Sequence, residues 1–263
     1  MRRPGSDLAA RLLAGGASVL AFSVLADSAI EHYRGSFHNP AMFAPLAVSG
    51  LSLGLNGGLA AGVRGQASIA AHLGAVATGL IGLGFHVYDI AARPARFRLG
   101  NLFYAAPVGA PAALVLAGAI GMAAERAGRG SGPGVGRGEG ALIAAGLIGT
   151  VAEASLLHFR GAFHNRAMWL PIMVPPLAAV ALARDVVRAI PHRATMGLLG
   201  VTAILGLAGS GFHVFGISRR MGGWRNWRQN LLAGPPVPAP PAFTGLALGG
   251  LGILLLMRRA ARA

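Results

Sequence analysis

Apolar runs long enough to cross a lipid bilayer follow one another along almost the whole chain, and they constrain its fold more than any other feature. A helix of roughly 20 residues spans a hydrocarbon core of about 30 Å. Backbone groups in lipid need partners within the segment or within a closed barrel, and these runs lack the alternation of barrel strands. The runs begin near Leu8, Ala41, Ser68, Ala106, Ala141, Ala167, Thr195 and Pro241. The sequence therefore predicts an all-α, polytopic membrane protein with eight transmembrane helices.

Composition and charge agree with a protein whose main partner is the lipid bilayer. Hydrophobic residues make up 54% of the chain, charged residues 12%, and the mean hydropathy is +0.59, which is outside the range of soluble domains. The formal net charge of +15 comes from arginines in short connections, so it indicates membrane topology and not nucleic-acid binding. The chain has no cysteine, which excludes disulfides, thiolate metal sites and cysteine nucleophiles.

An internal repeat organises the sequence. The segment from His32 to Met42 reads His-Tyr-Arg-Gly-Ser-Phe-His-Asn-Pro-Ala-Met, and it recurs 126 residues further on as His-Phe-Arg-Gly-Ala-Phe-His-Asn-Arg-Ala-Met. Gly84-Phe85-His86-Val87 also returns, as Gly211-Phe212-His213-Val214, and so does the Asn-Leu pair at 101–102, at 230–231. A whole four-helix unit is therefore duplicated.

The repeat predicts two tandem four-helix repeats in parallel orientation. Four crossings are an even number, so the second copy enters the membrane from the same side as the first. The predicted organisation is a first membrane repeat at 1–124, a Gly- and Arg-rich cytoplasmic linker at 125–140 and a second membrane repeat at 141–263.

The distribution of arginines predicts the orientation of the chain. The side of the termini carries 13 arginines, among them Arg2, Arg3 and Arg64, and the opposite side carries 10. Arginines are enriched in cytoplasmic loops. The expected location is the bacterial inner membrane, with cytoplasmic termini and with both Arg-Gly-Xaa-Phe-His-Asn turns in the periplasm.

Histidines gather on the predicted periplasmic side of each repeat. The first ends helix one, the second begins helix two and the third lies near the end of helix three, and the second copy repeats the arrangement. The six residues are His32, His38, His86, His158, His164 and His213. Three imidazoles on one face could supply most of a metal's ligands or hold a haem iron. The alternative is that each ring simply lies in the headgroup zone.

Four charged residues near these histidines are candidates for a supporting role. Asp27 and Glu153 lie inside helices one and five, where a carboxylate is costly without a purpose. A second-shell, proton-relay or arginine-pairing role is expected for them. Arg34 and Arg160 belong to the Arg-Gly-Xaa-Phe-His-Asn turn, which both copies contain and which we call the shared turn. They could pair with these carboxylates, bind a haem propionate or lipid phosphate, or extend to the membrane–water interface without a specific partner.

The shared turn also offers soft ligands and capping residues. Met42 and Met168 follow His38 and His164 by four residues, so on a helix each sulfur would lie one turn from its imidazole, as copper(I) would suit. Interfacial packing is the alternative role. Gly35 is expected to permit a tight connection, and Asn39 to cap the next helix.

The doubled Arg-Gly-Xaa-Phe-His-Asn turn, with the Asn-Leu-to-Pro segments before helices four and eight, resembles bacterial polytopic membrane proteins that carry the same duplicated turn. The likeness covers nearly the whole chain and implies no activity.

Three functions remain open at this point. The first is a membrane redox or metal-handling subunit that binds haem b or copper/iron and works with other membrane or periplasmic redox subunits. The second is a small-solute or proton-coupled transporter whose path runs between the repeats. The third is a non-catalytic scaffolding subunit of a membrane complex. Hydrolase and ATPase motifs are missing, and whether the chain is an enzyme stays open.

Overall fold

The computed structural model describes residues 4–63, 69–130 and 136–262, and within these ranges the chain is helical with no strand. Short 3-10 turns at Pro40–Phe43, Arg166–Trp169 and Gly223–Asn226 precede three of the helices. The α-helices in the described ranges are α1 Pro4–Arg34, α2 Ala44–Ala61, α3 Ile69–Ala92, α4 Leu99–Tyr104, α5 Gly109–Gly128, α6 Arg137–Arg160, α7 Leu170–Arg188, α8 Arg193–Ser218, α9 Trp227–Ala233 and α10 Pro241–Ala260.

Eight of these helices are long and apolar enough to cross a membrane, which confirms the predicted number. The two short helices α4 and α9 lie in the longer loops. The predicted starting point Ser68, the arginines Arg2, Arg3 and Arg64, and positions 131–135 of the predicted linker fall outside the described residues.

Three helices form the centre of the bundle. Helix α1 packs against α2, α5 and α10, while α3 packs on α5, α8 on α10 and α6 on α7. Helices α1, α5 and α10 are mostly buried, whereas α2, α3 and α8 expose most of their apolar length. Lipid is the natural solvent for those outer faces. The halves of the chain meet where α1 contacts α10 and α5 contacts α6.

Glycines allow α1 and α10 to pack closely against each other. A Cβ atom added to Gly16 of α1 would lie 2.5 Å from the carbonyl oxygen of Gly245 in α10, and one added to Gly252 would lie 2.8 Å from Leu13. Such contact is possible only without side chains, and it is how membrane helices gain van der Waals energy in lipid.

The ends of the predicted linker are helical. Helix α5 continues to Gly128 and α6 begins at Arg137, so Glu125 belongs to a helix and not to a flexible connection. Its side chain is buried against α3, where it meets His72 at 3.0 Å. Glycine and arginine composition predicted a loop, but burial beside a polar partner extends the helix by a turn.

Candidate functional site

The Arg-Gly-Xaa-Phe-His-Asn turn has the same conformation in both copies. Two residues that are not glycine take left-handed φ values, +58° at Ser36 and +45° at Phe37, and the second copy has +55° and +46° at Ala162 and Phe163. Gly35, which was expected to permit a tight connection, does not itself have a positive φ. Its missing side chain instead makes room for the Met42 methyl group, which would lie 3.2 Å from an added Cβ.

Asn39 caps the next segment as predicted. Its Oδ1 accepts a hydrogen bond of 2.9 Å from the Ala41 N–H, and Asn165 makes the same bond of 2.9 Å with Ala167. The capped segment is a 3-10 turn and not yet α-helix. The cap fixes where the chain turns back into the bundle.

Each of the six predicted histidines places its Nδ1 on a backbone carbonyl oxygen. His32 reaches across its turn, His38 bonds within its turn and His86 ties α3 to the segment before α5. The partners and distances are Met42 at 2.7 Å for His32, Gly35 at 3.0 Å for His38, Pro107 at 2.5 Å for His86, Met168 at 2.8 Å for His158, Gly161 at 3.0 Å for His164 and Pro236 at 2.7 Å for His213.

These contacts fix one tautomer for all six rings. A carbonyl oxygen can only accept, so Nδ1 must carry the proton, and a neutral ring then presents Nε2 as a lone pair. None of the six Nε2 atoms has a hydrogen-bond partner among the described residues. The same arrangement of an N–H on a carbonyl with the other nitrogen free is what orients histidine ligands in metal sites.

The three histidines of a copy are neighbours but do not form one metal-holding group. His32 is close enough to His38 and His86 for their charges to interact, and His158 stands in the same relation to His164 and His213. Within the described ranges, however, no three histidine or carboxylate side chains are arranged to hold a metal ion. The expected convergence of each trio is therefore not found. His38 and His164 are exposed, whereas the other four rings are partly buried.

The methionines meet the histidines through their backbone. The Met42 carbonyl accepts the His32 bond, and Met168 does the same for His158, while the methyl groups pack over Gly35 and Gly161. Stacking of each sulfur over the preceding histidine on an α-helix was expected. That geometry was wrong because the segment is a 3-10 turn, so packing explains these side chains.

Of the two intramembrane carboxylates, Glu153 has a defined polar partner. Its Oε1 accepts a hydrogen bond of 3.2 Å from the N–H of Gly109, at the first residue of α5, where a helix N-terminus favours negative charge. Asp27 is partly buried on α1, and its charge interacts with those of Glu31, Glu153 and Arg34. The two carboxylates therefore lie near each other, where the halves of the chain meet.

The arginines of the shared turns reach into opposite halves of the chain. Arg34 donates to the carbonyl of Leu232 in α9, and Arg160 donates to the carbonyl of Phe103 in α4 at 2.7 Å. Pairing with Asp27 or Glu153 was one of the roles considered for these arginines, but the carboxylate that pairs with Arg34 is Glu31, at 2.9 Å. An open cleft of about 620 Å³ lies between the turns, lined by Arg34, Arg160, Asn226, Arg228, Gln229, Leu232, Ala233 and Gly234.

A buried polar layer at the opposite end of the first copy was not predicted from the sequence. Asn56, His72 and Glu125 come together there from α2, α3 and α5. A comparison of the two copies would have found it, because the positions that correspond to these three residues are all leucine.

No family model matches the chain, and comparison with curated proteins and with solved structures gives no match.

Proposed function

We propose that this chain is an integral membrane redox or metal-handling subunit with one two-histidine site in each copy. The first site consists of His32 on α1 and His86 on α3, and the second of His158 on α6 and His213 on α8. The ligand is a transition-metal ion, either as the iron of haem b or as bare copper or iron. The observation that carries the proposal is the fixed tautomer of all four rings, which leaves Nε2 available.

Two histidines from different helices suit these ligands better than the predicted trio. A haem iron would be held by one histidine from each of two helices, and a bare ion held by the same pair would complete its coordination with water or a substrate. The two rings of each pair also lie close enough for their charges to interact. His86 interacts with His32 in this way, and His158 with His213. The exposed His38 and His164 are left to hold the turn by their bonds to Gly35 and Gly161.

The structural role of the rings is the main competing explanation. Each Nδ1–H bond also ties a turn or a helix end in place, and that function would need no ligand. It does not need the unpaired Nε2 either, since asparagine or a hydroxyl could donate to a carbonyl from a smaller side chain. Recurrence alone does not separate the six rings, because His38 and His164 recur too. The four rings proposed as ligands are also partly buried, where a polar nitrogen without a partner is costly, and this favours a use for their Nε2 atoms.

The proposal includes a location. We place the protein in a bacterial inner membrane with both termini cytoplasmic and with the two copies as parallel repeats, as the arginine distribution predicts. The histidine pairs then lie near the periplasmic surface, within reach of other membrane or periplasmic redox subunits.

The test is a visible absorption spectrum and a metal analysis of detergent-purified protein, isolated through a tag that uses no metal resin. A Soret band would identify haem, and copper or iron without that band would identify a bare ion. The His86→Ala variant should lose about half of the bound cofactor, and the double variant with His213→Ala should lose nearly all of it.

The matched control is His38→Ala together with His164→Ala. These changes remove two exposed rings from the same turns, so they should leave the cofactor content unchanged. Protein that carries neither haem nor stoichiometric metal would overturn the proposal. So would cofactor retained in the His86→Ala, His213→Ala double variant with its helical circular-dichroism spectrum intact.

A second candidate function is proton-coupled or small-solute transport between the copies, and one observation favours it. Asp27, Glu31 and Glu153 cluster where the halves of the chain meet, and Arg34 connects them to the open cleft because it pairs with Glu31 and lines that cleft. Intramembrane carboxylates beside an open cleft are typical of substrate and proton paths.

Proton flux into vesicles, followed with an internal pH dye, tests this candidate. Asp27→Asn and Glu153→Gln should each abolish a flux that the unchanged protein supports. The control is Asp89→Asn, because that carboxylate lies in the last turn of α3 and is in a salt bridge with Arg93. Flux at the level of empty vesicles, or flux that survives both changes, would refute transport by this path.

A further inference from the structure

A buried polar layer lies between α2, α3 and α5, in the half of the first copy that is nearest the chain termini. Asn56 is fully buried, and the exposed fractions of His72 and Glu125 are 1% and 5%. His72 Nε2 lies 3.0 Å from Glu125 Oε1, and Glu125 Oε2 accepts a bond of 2.6 Å from Arg129 at the exposed end of α5. A line of polar groups therefore leads from the helix end into the bundle.

Two atoms of this layer have no partner. Asn56 donates from Nδ2 to the Ser52 carbonyl at 2.8 Å, which fixes the orientation of its amide and leaves Oδ1 unpaired. His72 Nδ1 is also buried without a partner. Both atoms face the same point, because a Cβ added to Gly121 would lie 2.5 Å from His72 Nδ1 and 2.8 Å from Asn56 Oδ1. Buried atoms in this state are rare and costly in proteins.

The second copy builds the same layer from apolar residues. A Cβ added to Gly250, the counterpart of Gly121, would lie 3.1 Å from Leu199 and 3.2 Å from Leu182. Leu182, Leu199 and Leu254 are all fully buried there. Packing alone can therefore be satisfied by leucine, so the polar residues of the first copy need another explanation.

We infer that His72 Nδ1 is a proton-binding site, with Asn56 as the hydrogen-bond acceptor for the bound proton and Glu125 as its balancing charge. With His72 neutral and its Nε2–H donating to Glu125, Nδ1 and Asn56 Oδ1 are two unpaired acceptors that border the same space beside Gly121. A proton on Nδ1 converts it into a donor to Oδ1. The imidazolium that forms is then paired with the Glu125 carboxylate.

Among the described residues packed around His72, few other charges could take this role. Helix α2 carries no titratable residue between Ala44 and Ala61. Helix α5 carries Glu125, which pairs with Arg129 just after the helix, and Arg126, which pairs with Glu139. On α1, Arg11 is engaged by the Ala60 carbonyl at 2.8 Å. The site is also separate from the proposed histidine pairs, since fourteen helical residues place His72 about 21 Å from His86.

Nitrogen-15 NMR of histidine-labelled protein in lipid vesicles tests the inference. The triple variant Asn56→Leu, His72→Leu, Glu125→Leu copies the second half of the chain, so subtracting its spectrum isolates the signals of His72. If that variant does not fold, His72→Gln assigns the signals instead. We expect both His72 nitrogens to be protonated at about pH 5 and one to lose its proton on the way to about pH 9.

The Glu125→Gln variant gives the decisive comparison. Without the balancing carboxylate, the pH midpoint of His72 should fall by about one unit or more. A ring that stays neutral throughout this range, as it would with a bound water in place of the proton, overturns the inference. A midpoint that Glu125→Gln leaves unchanged overturns it too. The triple variant should keep any cofactor of the histidine pairs, so failure here and failure of the proposed function are distinguishable.

Discussion

At the scale of single residues, the shared turn stores backbone strain in both copies. Ser36, Phe37, Ala162 and Phe163 all have φ values between +45° and +58°, although none of them is glycine. The left-handed conformation costs such residues roughly 1–2 kcal/mol each. The turn is kept in this shape by the bond from His32 to Met42 and by its counterpart in the second copy.

Glycine in place of a strained residue should therefore stabilise the protein. We expect Ala162→Gly to raise the free energy of unfolding by about 1 kcal/mol, seen as a higher melting temperature in detergent. The matched control is Ala152→Gly on the exposed face of α6, where glycine should instead lower stability by about 1 kcal/mol. A drop in melting temperature for Ala162→Gly would contradict the assigned conformation.

Other glycines matter through their missing side chains. A Cβ added to Gly79 would lie 2.7 Å from the Pro111 carbonyl oxygen, whereas one added to Gly74 on the same helix meets nothing within 4 Å. Gly79→Ala should therefore destabilise the protein by about 1–3 kcal/mol, because α3 and α5 must move apart. Gly74→Ala should be neutral or slightly stabilising in the same melting experiment. Equal effects of the two changes would show that α3 and α5 are not this close.

The sequence predicted where the candidate histidines lie, but it did not predict which groups they contact. Helix parity brought His32, His38 and His86 to one end of the bundle, because a helix of known length carries its ends to known sides. It could not predict that every Nδ1 would be taken by a carbonyl, since those carbonyls come from turns and proline segments. The burial of Glu125 was missed for a similar reason: its partner His72 is on another helix.

At the scale of elements, the two short helices are held by the other half of the chain. Arg160 bonds to the Phe103 carbonyl at the end of α4 and lies 5.7 Å from the centre of the Tyr104 ring. Arg34 bonds to the Leu232 carbonyl in α9. The long spans could be predicted because lipid demands helices of that length. Helices α4 and α9 could not, because segments this short depend on tertiary contacts.

Removal of either arginine should loosen the loop of the opposite half. We expect Arg34→Ala to speed tryptic cleavage at the exposed Arg219 and Arg220 about fivefold, since one hydrogen bond contributes about 1 kcal/mol. Arg160→Ala should instead speed cleavage at Arg96 and Arg98, near α4.

The control for this pair is Arg166→Ala, an exposed residue of the second turn whose side chain makes no hydrogen bond to the described part of the chain. Mass spectrometry of the first fragments reads out the site of cleavage. Faster cleavage in the half of the chain that carries the substitution would contradict the contacts of Arg34 with Leu232 and of Arg160 with Phe103.

At the scale of the whole molecule, the four candidate spans between the two shared turns predict that both turns lie on one side of the membrane. The lack of cysteine makes this easy to test, because single cysteines can be introduced without a background. Ser36→Cys and Ala162→Cys should both react with an impermeant maleimide added to whole cells, and Ala261→Cys should react only after lysis. Labelling of Ser36→Cys and Ala162→Cys from opposite sides would refute the parallel arrangement.

The unequal polar layers have a consequence for stoichiometry. A homodimer of four-helix subunits carries each of its features twice or not at all. Here both four-helix sequences belong to one chain, so Asn56, His72 and Glu125 stand in one half while three leucines fill the other. One covalent molecule can thus combine features present in pairs, such as the turn histidines, with a feature present once. The chain therefore has one polar layer for two sets of turn histidines. A symmetric dimer of four-helix subunits cannot have this ratio.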